Sequence, residues 1–224
     1  MKKFMALLLV AGMTLSLTAC GGSTDTAKKG QADGKDTFTV GFDQDFPPFG
    51  YVGDDGEFTG FDIEMATECA ARMGKKIVLQ PIDWDAKDME LEAGTIDCIW
   101  NGFTMNGRED QYTWTDPYMD NSQVVVVKKD SGINTLADLA GKVVEVQKES
   151  AAETALNDEE HADLTASFAQ LLSVGEYNTA FMDLESGAVD AVAIDIGVAQ
   201  FQIEGKEDQY QILDETISSE QYAV

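Results

Sequence analysis

The heptapeptide Leu91-Glu92-Ala93-Gly94-Thr95-Ile96-Asp97 recurs as Leu184-Glu185-Ser186-Gly187-Ala188-Val189-Asp190. In each copy an amphipathic segment runs up to a glycine, and an apolar run begins shortly after it. Because glycine readily adopts the left-handed conformation that ends a helix, each copy is typical of a helix followed by a buried strand. The pattern therefore predicts an α/β fold of two similar halves with a cleft between them.

The residues that follow each copy are the first candidates for a binding site, because ligands of open α/β sheets lie beyond the carboxyl ends of the strands. Asn101, Gly102, Thr104 and Arg108 follow the first copy, and Asp195 follows the second. A cation and a hydroxyl on one wall would face a carboxylate on the other, which complements the zwitterion of an α-amino acid. Asp195 could instead cap the helix predicted after it, and one carboxylate can serve both roles.

The first residues are typical of a secretory signal. Two lysines precede an apolar run over about 4–17, which is shorter than the roughly 20 residues of a membrane span and predicts a signal peptide over 1–19. Small residues lead up to Cys20, and this end resembles the lipobox of bacterial lipoproteins, in which Cys20 would carry the lipid. An ordinary signal peptide with an incidental cysteine is the alternative. The small and polar residues of 20–36 predict a flexible linker.

The composition excludes several functions. Asp and Glu number 41 against 15 Lys and Arg, a formal net charge of −26, and nucleic-acid binding needs clustered basic residues. The sequence contains no Ser/His/Asp set in a nucleophile context, no glycine-rich phosphate loop and no metal-ligand spacing, and its one histidine, His161, lies among acidic residues. We therefore expect no enzyme activity, no cofactor and no metal. Cys69 and Cys98 are interpreted as small core residues, with a disulfide as the alternative.

Hydrophobic periodicity predicts the secondary structure. Asp62 is expected to cap the first helix, with Ile63, Ala66, Ala70 and Met73 on its inner face. The four consecutive valines near residue 125 predict a strand buried on both faces that connects the halves. The predicted strands are 38–42, 77–79, 122–128, 142–147, 189–194 and 210–213, and the predicted helices begin near 62, 134, 152, 176 and 196.

A series of motifs identifies a family that the chain resembles. In chain order they are Asp43-x-x-Phe46-x-Pro48-Phe49, Gly60-Phe61-Asp62, Leu91-x-x-Gly94-x-x-Asp97, Asn101-Gly102-Phe103-Thr104 with Arg108, Thr115-Asp116-Pro117-Tyr118, Leu136-x-Asp138-Leu139-x-Gly141-Lys142 and Gly187-x-Val189-Asp190-Ala191-Val192-x-x-Asp195. Over residues 37–224 they resemble the extracytoplasmic polar amino-acid-binding proteins of bacterial ABC importers.

The resemblance implies a periplasmic-binding-protein type II fold. Each of its two lobes would be a β-sheet flanked by helices, and two hinge strands would join them. Lobe 1 would comprise residues 37–123 with 221–224, and lobe 2, with the hinge strands, residues 124–220. The resemblance also implies a further strand and helices after residue 224, so a last strand is expected to begin at Tyr222 and to continue past the sequence given.

The resemblance also implies a role for each matching residue. Arg108 and Thr104, with backbone groups of Gly102, would hold the ligand α-carboxylate, and Asp195 would accept hydrogen bonds from the α-ammonium. Two aromatic rings would enclose the aliphatic stem, and Asp43 would face the end of the side chain. The predicted ligand-binding set is Asp43, Phe46, Trp84, Asn101, Gly102, Thr104, Arg108, Gln147, Ser150, Ala151 and Asp195.

Two departures from the family's pattern bear on the site. Thr104 and Arg108 are one residue closer together than is common, and Gly107 could absorb the difference because glycine accepts a left-handed conformation. Gln147 stands where the family often has a cation. The ligand stays open among glutamine, arginine, lysine, histidine and cystine.

The resemblance implies a monomeric, lipid-anchored, extracytoplasmic receptor that delivers a polar amino acid to an ABC permease and its ATPase. A ligand-sensing domain of a signalling protein and a dehydratase-like enzyme on the same fold are the alternatives.

Overall fold

The computed structural model describes residues 36–224, so the predicted signal peptide, Cys20 and nearly all of the linker lie outside the described residues. Strands and helices alternate as the sequence predicts. The elements are β1 (Thr37–Phe42), β2 (Asp45–Phe46), β3 (Gly50–Val52), β4 (Phe58–Thr59), α1 (Phe61–Arg72), β5 (Lys76–Pro81), α2 (Lys87–Ala93), β6 (Cys98–Ile99), β7 (Met119–Lys128), β8 (Val143–Gln147), α3 (Ala151–Asn157), α4 (Ala162–Ser167), β9 (Gln170–Val174), α5 (Tyr177–Ser186), β10 (Ala191–Asp195), α6 (Ile196–Ile203), β11 (Tyr210–Ile212) and β12 (Ser218–Tyr222). Three 3₁₀ turns span Trp84–Ala86, Leu136–Leu139 and Glu159–His161.

The first half, residues 37–123 with 221–224, contains a parallel sheet in the order β5-β1-β6. Helix α1 buries Ile63, Ala66 and Ala70. A small antiparallel sheet, β2-β3-β4, follows the carboxyl end of β1. The loops that leave β1 and β6 at their carboxyl ends are therefore neighbours, as expected for strands that run in parallel.

The second half, residues 124–220, contains a larger mixed sheet. Its strands follow the order β11-β7-β10-β8-β9, and β12 also pairs with β7. Strand β7 is antiparallel to β10, whereas β8 runs parallel to both β10 and β9. Val124, Val125, Val126 and Val127 are all fully buried, and alternate ones belong to two different apolar clusters. Both faces of the sheet are therefore covered, as the unbroken valine run predicts.

Strands β7 and β12 join the two halves. They pair antiparallel from Ser218 opposite Gln123 to Tyr222 opposite Met119. Beyond that ladder, Tyr222 forms an isolated bridge with Thr104 of the first half.

Other sequence predictions are confirmed or corrected by the structure. Gly94 and Gly187 end α2 and α5 in the left-handed conformation, with φ of 69° and 79°, as the repeated heptapeptide predicts. The prediction that Asp62 caps α1 was wrong, because Gly60 is at the N-cap and Asp62 lies inside the helix, fully buried. Met73 follows the last turn and is 49% exposed, so it does not belong to the inner face.

The position of the last strand differs from its prediction, whereas the packing of the cysteines agrees with theirs. Strand β12 ends at Tyr222 instead of beginning there, because its pairing with β7 already starts at Ser218. Cys69 and Cys98 are free thiols that pack against the apolar cluster around Val40, as the core interpretation predicts. Within residues 36–224, no helix has the length and apolar character needed to cross a membrane.

Candidate functional site

A small cavity of about 20 Å³ lies between the two halves. It is lined from the first half by Phe46, Trp84, Asn101, Gly102, Phe103, Thr104 and Arg108, and from the second by Gln147, Ser150, Ala151 and Asp195. The structure thus brings ten of the eleven predicted ligand-binding residues to one cavity. Asp43 is the exception, and Phe103 is a lining residue that the sequence reasoning missed.

The loop after β6 is held in place by a buried carboxylate. Gly102 has φ of 55°, and a Cβ there would lie only 3.0 Å from ring atoms of both Phe46 and Tyr222, so a larger residue would be strained. The Gly102 N–H donates to the Asp62 carboxylate, which also accepts from the Tyr118 hydroxyl at 3.0 Å. Burial raises the pKa of Asp62 to about 7. The Gly102 N–H is therefore committed to Asp62 and is not available to a ligand carboxylate, contrary to the expectation for it.

A carboxylate of β12 orients the Thr104 hydroxyl. Its Oγ1 donates to Glu220 Oε1 of β12 at 2.7 Å, so the oxygen lone pairs, and not the proton, are free for a ligand. In the bridge between Thr104 and Tyr222 the hydrogen bonds come from the N–H groups of Met105 and Ala223, at 3.0 Å each. The Thr104 N–H takes no part in that pairing and remains a donor beside the cavity.

Arg108 reaches from the first half to the second. Its Nη1 donates to the Thr104 carbonyl at 3.0 Å, and its Nη2 approaches the Glu149 carbonyl at 3.4 Å. The guanidinium carbon lies 5.3 Å from the centroid of the Phe103 ring, a cation–π distance. Gly107 adopts a left-handed conformation with φ of 76°. Arg108 is the one cation among the residues that line the cavity.

Asp195 presents one oxygen to the protein and one to the cavity. Its Oδ1 accepts from Asn121 Nδ2 and Gln123 Nε2 at 2.7 Å and from the Tyr222 hydroxyl at 2.6 Å. No described residue donates to Oδ2. Asp195 occupies the N-cap position of α6, as the alternative predicts, but its side chain makes no capping hydrogen bond. Burial, and secondarily the neighbouring Glu220 carboxylate, raises the pKa of Asp195 above its ordinary range.

Aromatic rings form the apolar wall. Trp84 is held in a 3₁₀ turn and packs edge-to-face on Phe103 with ring centroids 5.3 Å apart. Phe46 lies 6.1 Å from the buried Tyr177 ring of the second half. All of these rings are buried, so they present a fixed apolar surface to whatever occupies the cavity.

Asp43 lies behind the cavity wall. Its Oδ2 accepts from Gln147 Nε2 of the second half at 2.6 Å, and its Oδ1 accepts from the Asp45 N–H. Burial raises the pKa of Asp43 to about 6. Gln147 Nε2 also donates to the Gly175 carbonyl at 2.9 Å, so both of its amide protons are used and its Oε1 has no described partner. Gln147 therefore stands between Asp43 and the cavity.

Ion pairs connect the halves at the rim of the cavity. Lys87, which is 3% exposed, contacts the Glu149 carboxylate at 2.9 Å, and Lys148 contacts Asp85 at 2.6 Å. Glu149 has φ of 57°, a left-handed conformation that is uncommon outside glycine. The halves are thus in direct contact around the cavity.

Sequence reasoning missed the residues that support the site from behind. Asp62 holds Gly102, while four residues of β7 and β12, namely Asn121, Gln123, Glu220 and Tyr222, hold Asp195 and Thr104. One signal was available, since Asn121 and Gln123 are polar residues at alternate positions that lead into the buried valine run. Among the described residues, no cluster of His, Cys, Asp and Glu is arranged to hold a metal ion.

Comparison with known sequences gives consistent matches. Residues 38–182 match the family model of the bacterial extracellular solute-binding proteins, family 3. The chain is 37% identical to the arginine-binding extracellular protein ArtP of Bacillus subtilis over 148 residues, which is 66% of this chain and 56% of ArtP. It is 30% identical to the L-cystine-binding protein TcyJ of Escherichia coli over 223 residues, which is 98% of this chain and 80% of TcyJ. The chain thus spans little more than half the length of ArtP.

Solved structures give the same result. One similar structure is a substrate-binding protein of an ABC uptake transporter from Streptococcus pneumoniae, solved with bound histidine. The TM-score is 0.79 at 34% identity, covering 84% of this chain and 78% of that one.

Proposed function

Since the chain belongs to family 3 of the bacterial extracellular solute-binding proteins, we propose that it captures a free polar L-amino acid outside the cytoplasm and delivers it to the permease of an ABC transporter. One observation carries this proposal: the cavity has a guanidinium at one wall and a carboxylate oxygen without a protein partner at the other. These two charges complement the two charges of an amino-acid zwitterion. A solute with only one of them would leave the other charge of the site unpaired, which is costly in a buried cavity.

The ligand is proposed to bind with its carboxylate toward Arg108 and the N–H of Thr104. Its ammonium would donate to Asp195 Oδ2 and to the Thr104 hydroxyl oxygen, whose proton is already committed to Glu220. This pose revises the expected role of Thr104, because its hydroxyl acts as an acceptor for the ammonium and its backbone as a donor to the carboxylate. Each charge-assisted hydrogen bond in such a site contributes about 1.5–3 kcal/mol.

The remaining cavity residues would surround the rest of the ligand. Phe46 and Trp84 would enclose the aliphatic stem, and Ser150 and Ala151 at the start of α3 would cover the carboxylate from the second half. The Gln147 amide would meet the end of the side chain. Its free oxygen accepts hydrogen bonds, so it favours side chains that end in a donor, and Asp43 behind it favours them further.

Closure of two lobes would couple binding to transport. We propose that residues 37–123 with 221–224 form one lobe and residues 124–220 the other, hinged on β7 and β12. A ligand shifts an equilibrium between open and closed states only by its differential affinity for them. Because Arg108 and Asp195 come from different lobes, a single ligand contacts both only when the lobes are closed. The permease would then recognise the closed form.

The relatives limit the choice of ligand without deciding it. ArtP is named for arginine, TcyJ for L-cystine, and the pneumococcal protein was solved with histidine. Each of these three amino acids carries a hydrogen-bond donor at the end of its side chain, and in cystine that end is a second zwitterion. Glutamine, arginine, lysine, histidine and cystine therefore remain the candidate ligands. No cofactor, metal, nucleic acid or chemical step is needed for this function.

We propose that Cys20 carries the lipid that tethers the mature protein to the membrane. The family is extracellular, which agrees with a signal peptide over residues 1–19. The protein would act as a monomer with a permease and an ATPase as partners.

The first test is a thermal-unfolding scan of the protein from residue 21 onward, with each proteinogenic amino acid and cystine in turn. A ligand at about 100 times its dissociation constant stabilises a fold by about 2.7 kcal/mol, which shifts the unfolding midpoint by several degrees. We expect a shift with one or a few polar L-amino acids and none with their D-enantiomers. A cooperative transition that no amino acid moves would refute amino-acid capture.

A second test separates a transport receptor from a sensor or an enzyme. Cells that carry or lack the gene are compared for uptake of the labelled amino acid that produced the shift. Loss of uptake, with the amino acid recovered unchanged from the purified protein, supports delivery to a transporter. Unchanged uptake would favour the sensing alternative, and conversion of the amino acid would favour a dehydratase-like enzyme.

A further inference from the structure

We propose that Glu220 is a positioning residue of the ammonium subsite, and that ligand binding expels a proton which Glu220 and Asp195 share in the empty protein. This inference rests on the proposed function, because it takes the ammonium of an amino acid as the group that binds at Asp195. It adds a residue of the hinge strand β12 to the site and a proton to the binding reaction.

The two carboxylates are held by the same donors. Asn121 Nδ2 and Gln123 Nε2 each donate to both Asp195 Oδ1 and Glu220 Oε1, and all four distances are 2.7 Å. Because each amide nitrogen lies 2.7 Å from both oxygens, the oxygens can be no more than about 5.4 Å apart. Each amide has two protons, so this arrangement uses all four of them on the carboxylate pair.

Within residues 36–224, no cation contacts the pair. Asp195 is 4% exposed and Glu220 is 7% exposed, so water provides little screening. Apart from the shared amides, Asp195 Oδ1 accepts from the Tyr222 hydroxyl and Glu220 Oε1 from the Thr104 hydroxyl. Every one of these donors is neutral. Two like charges at this separation in a buried site favour retention of one proton by the pair, and Asp195 Oδ2 is the oxygen to which no described group donates.

A ligand ammonium would provide the missing charge. It would approach Asp195 Oδ2, which has no described protein donor, and the lone pairs of the Thr104 hydroxyl, which Glu220 orients. Asp195 Oδ2 cannot carry a proton of its own and also accept a hydrogen bond from the ammonium along the same direction. The shared proton therefore leaves to solvent as the ammonium binds, and both carboxylates are ionised in the complex.

The other titratable and charged groups around the pair do not account for the release of a proton on binding. Tyr222 on β12 and Tyr177 on α5 face the pair, and burial raises the pKa of both phenols well above their ordinary range, so they stay neutral. Arg108 lies on the cavity wall, where the ligand carboxylate is proposed to pair with it. On β7 the facing groups, Asn121 and Gln123, are neutral amides. Asp43, whose pKa is raised to about 6, lies behind Gln147 and keeps its surroundings in a Glu220 variant, so the proton release that depends on Glu220 is assigned to the pair.

The experiment measures protons and affinity together by titration calorimetry. L-arginine and L-glutamine are the probes, because their own charges stay constant from about pH 5.5 to about pH 8. Titrations in two buffers of different ionisation enthalpy give the number of protons released. We expect net release on binding below neutral pH and a loss of affinity on acidification that approaches tenfold per pH unit. Binding of either amino acid with no net proton release across this range would overturn the proposal without the need for any variant.

The variant Glu220→Gln tests the assignment to this residue. The amide oxygen can still accept from the Thr104 hydroxyl, and the amide nitrogen can turn to Ser218 Oγ, which lies 3.3 Å from Glu220 Oε2. We expect affinity near pH 8 to change less than about fivefold, with its decline and the proton release moved to lower pH. Glu64→Gln removes the same charge from an exposed position on α1 and is expected to leave the wild-type profile unchanged. A Glu220→Gln profile that coincides with the wild type would refute the proposal.

A ligand-free measurement separates this inference from the proposed function. In the wild-type protein the shared proton is lost as the pH rises, so the unfolding midpoint should fall between about pH 5.5 and about pH 8 by more than it does in Glu220→Gln. If no amino acid binds but the two curves differ in this way, the result supports a proton retained by the carboxylate pair and refutes amino-acid capture. Parallel curves would refute the retained proton even if an amino acid binds.

Discussion

Removal of the hydrogen bond between Gln147 and Asp43 should weaken ligand binding by opening the closed form. Gln147 Nε2 donates to Asp43 Oδ2 at 2.6 Å across the cleft, and both side chains are buried. Gln147 also holds the Gly175 carbonyl of its own half at 2.9 Å. That second bond survives opening, so only the bond to Asp43 distinguishes the closed state from the open one.

The magnitude follows from the charge and burial of this contact. A hydrogen bond to an ionised carboxylate contributes about 1.5–3 kcal/mol, which corresponds to about 10- to 150-fold in an equilibrium constant. Because burial raises the pKa of Asp43 to about 6, the measurement belongs near pH 8, where this carboxylate is ionised. We therefore expect a coupling energy of about 1.5–3 kcal/mol between the two side chains, expressed mainly as faster ligand release.

The assay is a double-mutant cycle. Affinity and the dissociation rate of the amino acid identified by thermal shift are measured for the wild type, Gln147→Ala, Asp43→Ala and the double variant. The cycle cancels the direct contribution of Gln147 to the cavity wall, provided that neither single change makes new contacts. Lys148→Ala serves as the matched control, because its ion pair with Asp85 also crosses the cleft but its side chain is 53% exposed and that of Asp85 is 37% exposed.

An exposed pair such as this contributes at most about 1 kcal/mol, so the control should lose less than about fivefold in affinity. A coupling energy between Gln147 and Asp43 near zero, or no larger than the loss in the control, would refute the reasoning. The ranking of amino acids should also change in Asp43→Ala, because the charge behind the amide favours donors on the ligand side chain.

Three further predictions concern single side chains. Arg108→Ala should weaken every amino acid that binds by about 2 kcal/mol or more, measured by calorimetry, since the ligand carboxylate loses its cation; equal affinity would remove Arg108 from the site. Trp84→Ala should reduce affinity more for arginine or glutamine than for any shorter amino acid that binds, because a ring that covers the stem contributes in proportion to the apolar area it buries. Asp62→Asn should flatten the pH dependence of the free energy of unfolding. The pKa of Asp62 is about 7 in the folded protein against an ordinary 3.8, so the folded state holds the proton more tightly. The stability of the wild type therefore falls as the pH rises from about 4 to about 7, by up to about 4 kcal/mol at pH 8. Chemical denaturation at several pH values measures this slope, and an unchanged slope in the variant would contradict the raised pKa.

The local chemistry of the site was largely predictable from the sequence. Gly94 and Gly187 end helices because a left-handed residue is needed there, and the residues after the strands that follow them reach the cleft because parallel strands end at one edge. These two rules concern residues close in sequence. The resemblance to a family then extended the set to Phe46, Trp84 and the loop before α3, all of which line the cavity.

Two predictions were corrected by long-range contacts. Asp62 has the sequence context of a helix cap, yet its carboxylate turns inward to Gly102, which lies forty residues away along the chain. Asp43 was expected at the cavity, yet it does not line it and instead accepts a hydrogen bond from Gln147 of the other half. Neither outcome is visible to periodicity, because each depends on which segment packs opposite the side chain.

The sequence by itself determined the alternation of strands and helices, the two-fold repeat and the residues that could meet an amino-acid zwitterion. These follow from backbone preferences and from the spacing of apolar side chains, which act over a few residues. Only the tertiary structure decided the hydrogen-bond directions: Thr104 gives its proton to Glu220, and Asp195 shares its donors with the same carboxylate. The physical reason is that a buried polar group must be satisfied by whichever donor or acceptor the fold brings beside it, and here that partner comes from the far end of the chain.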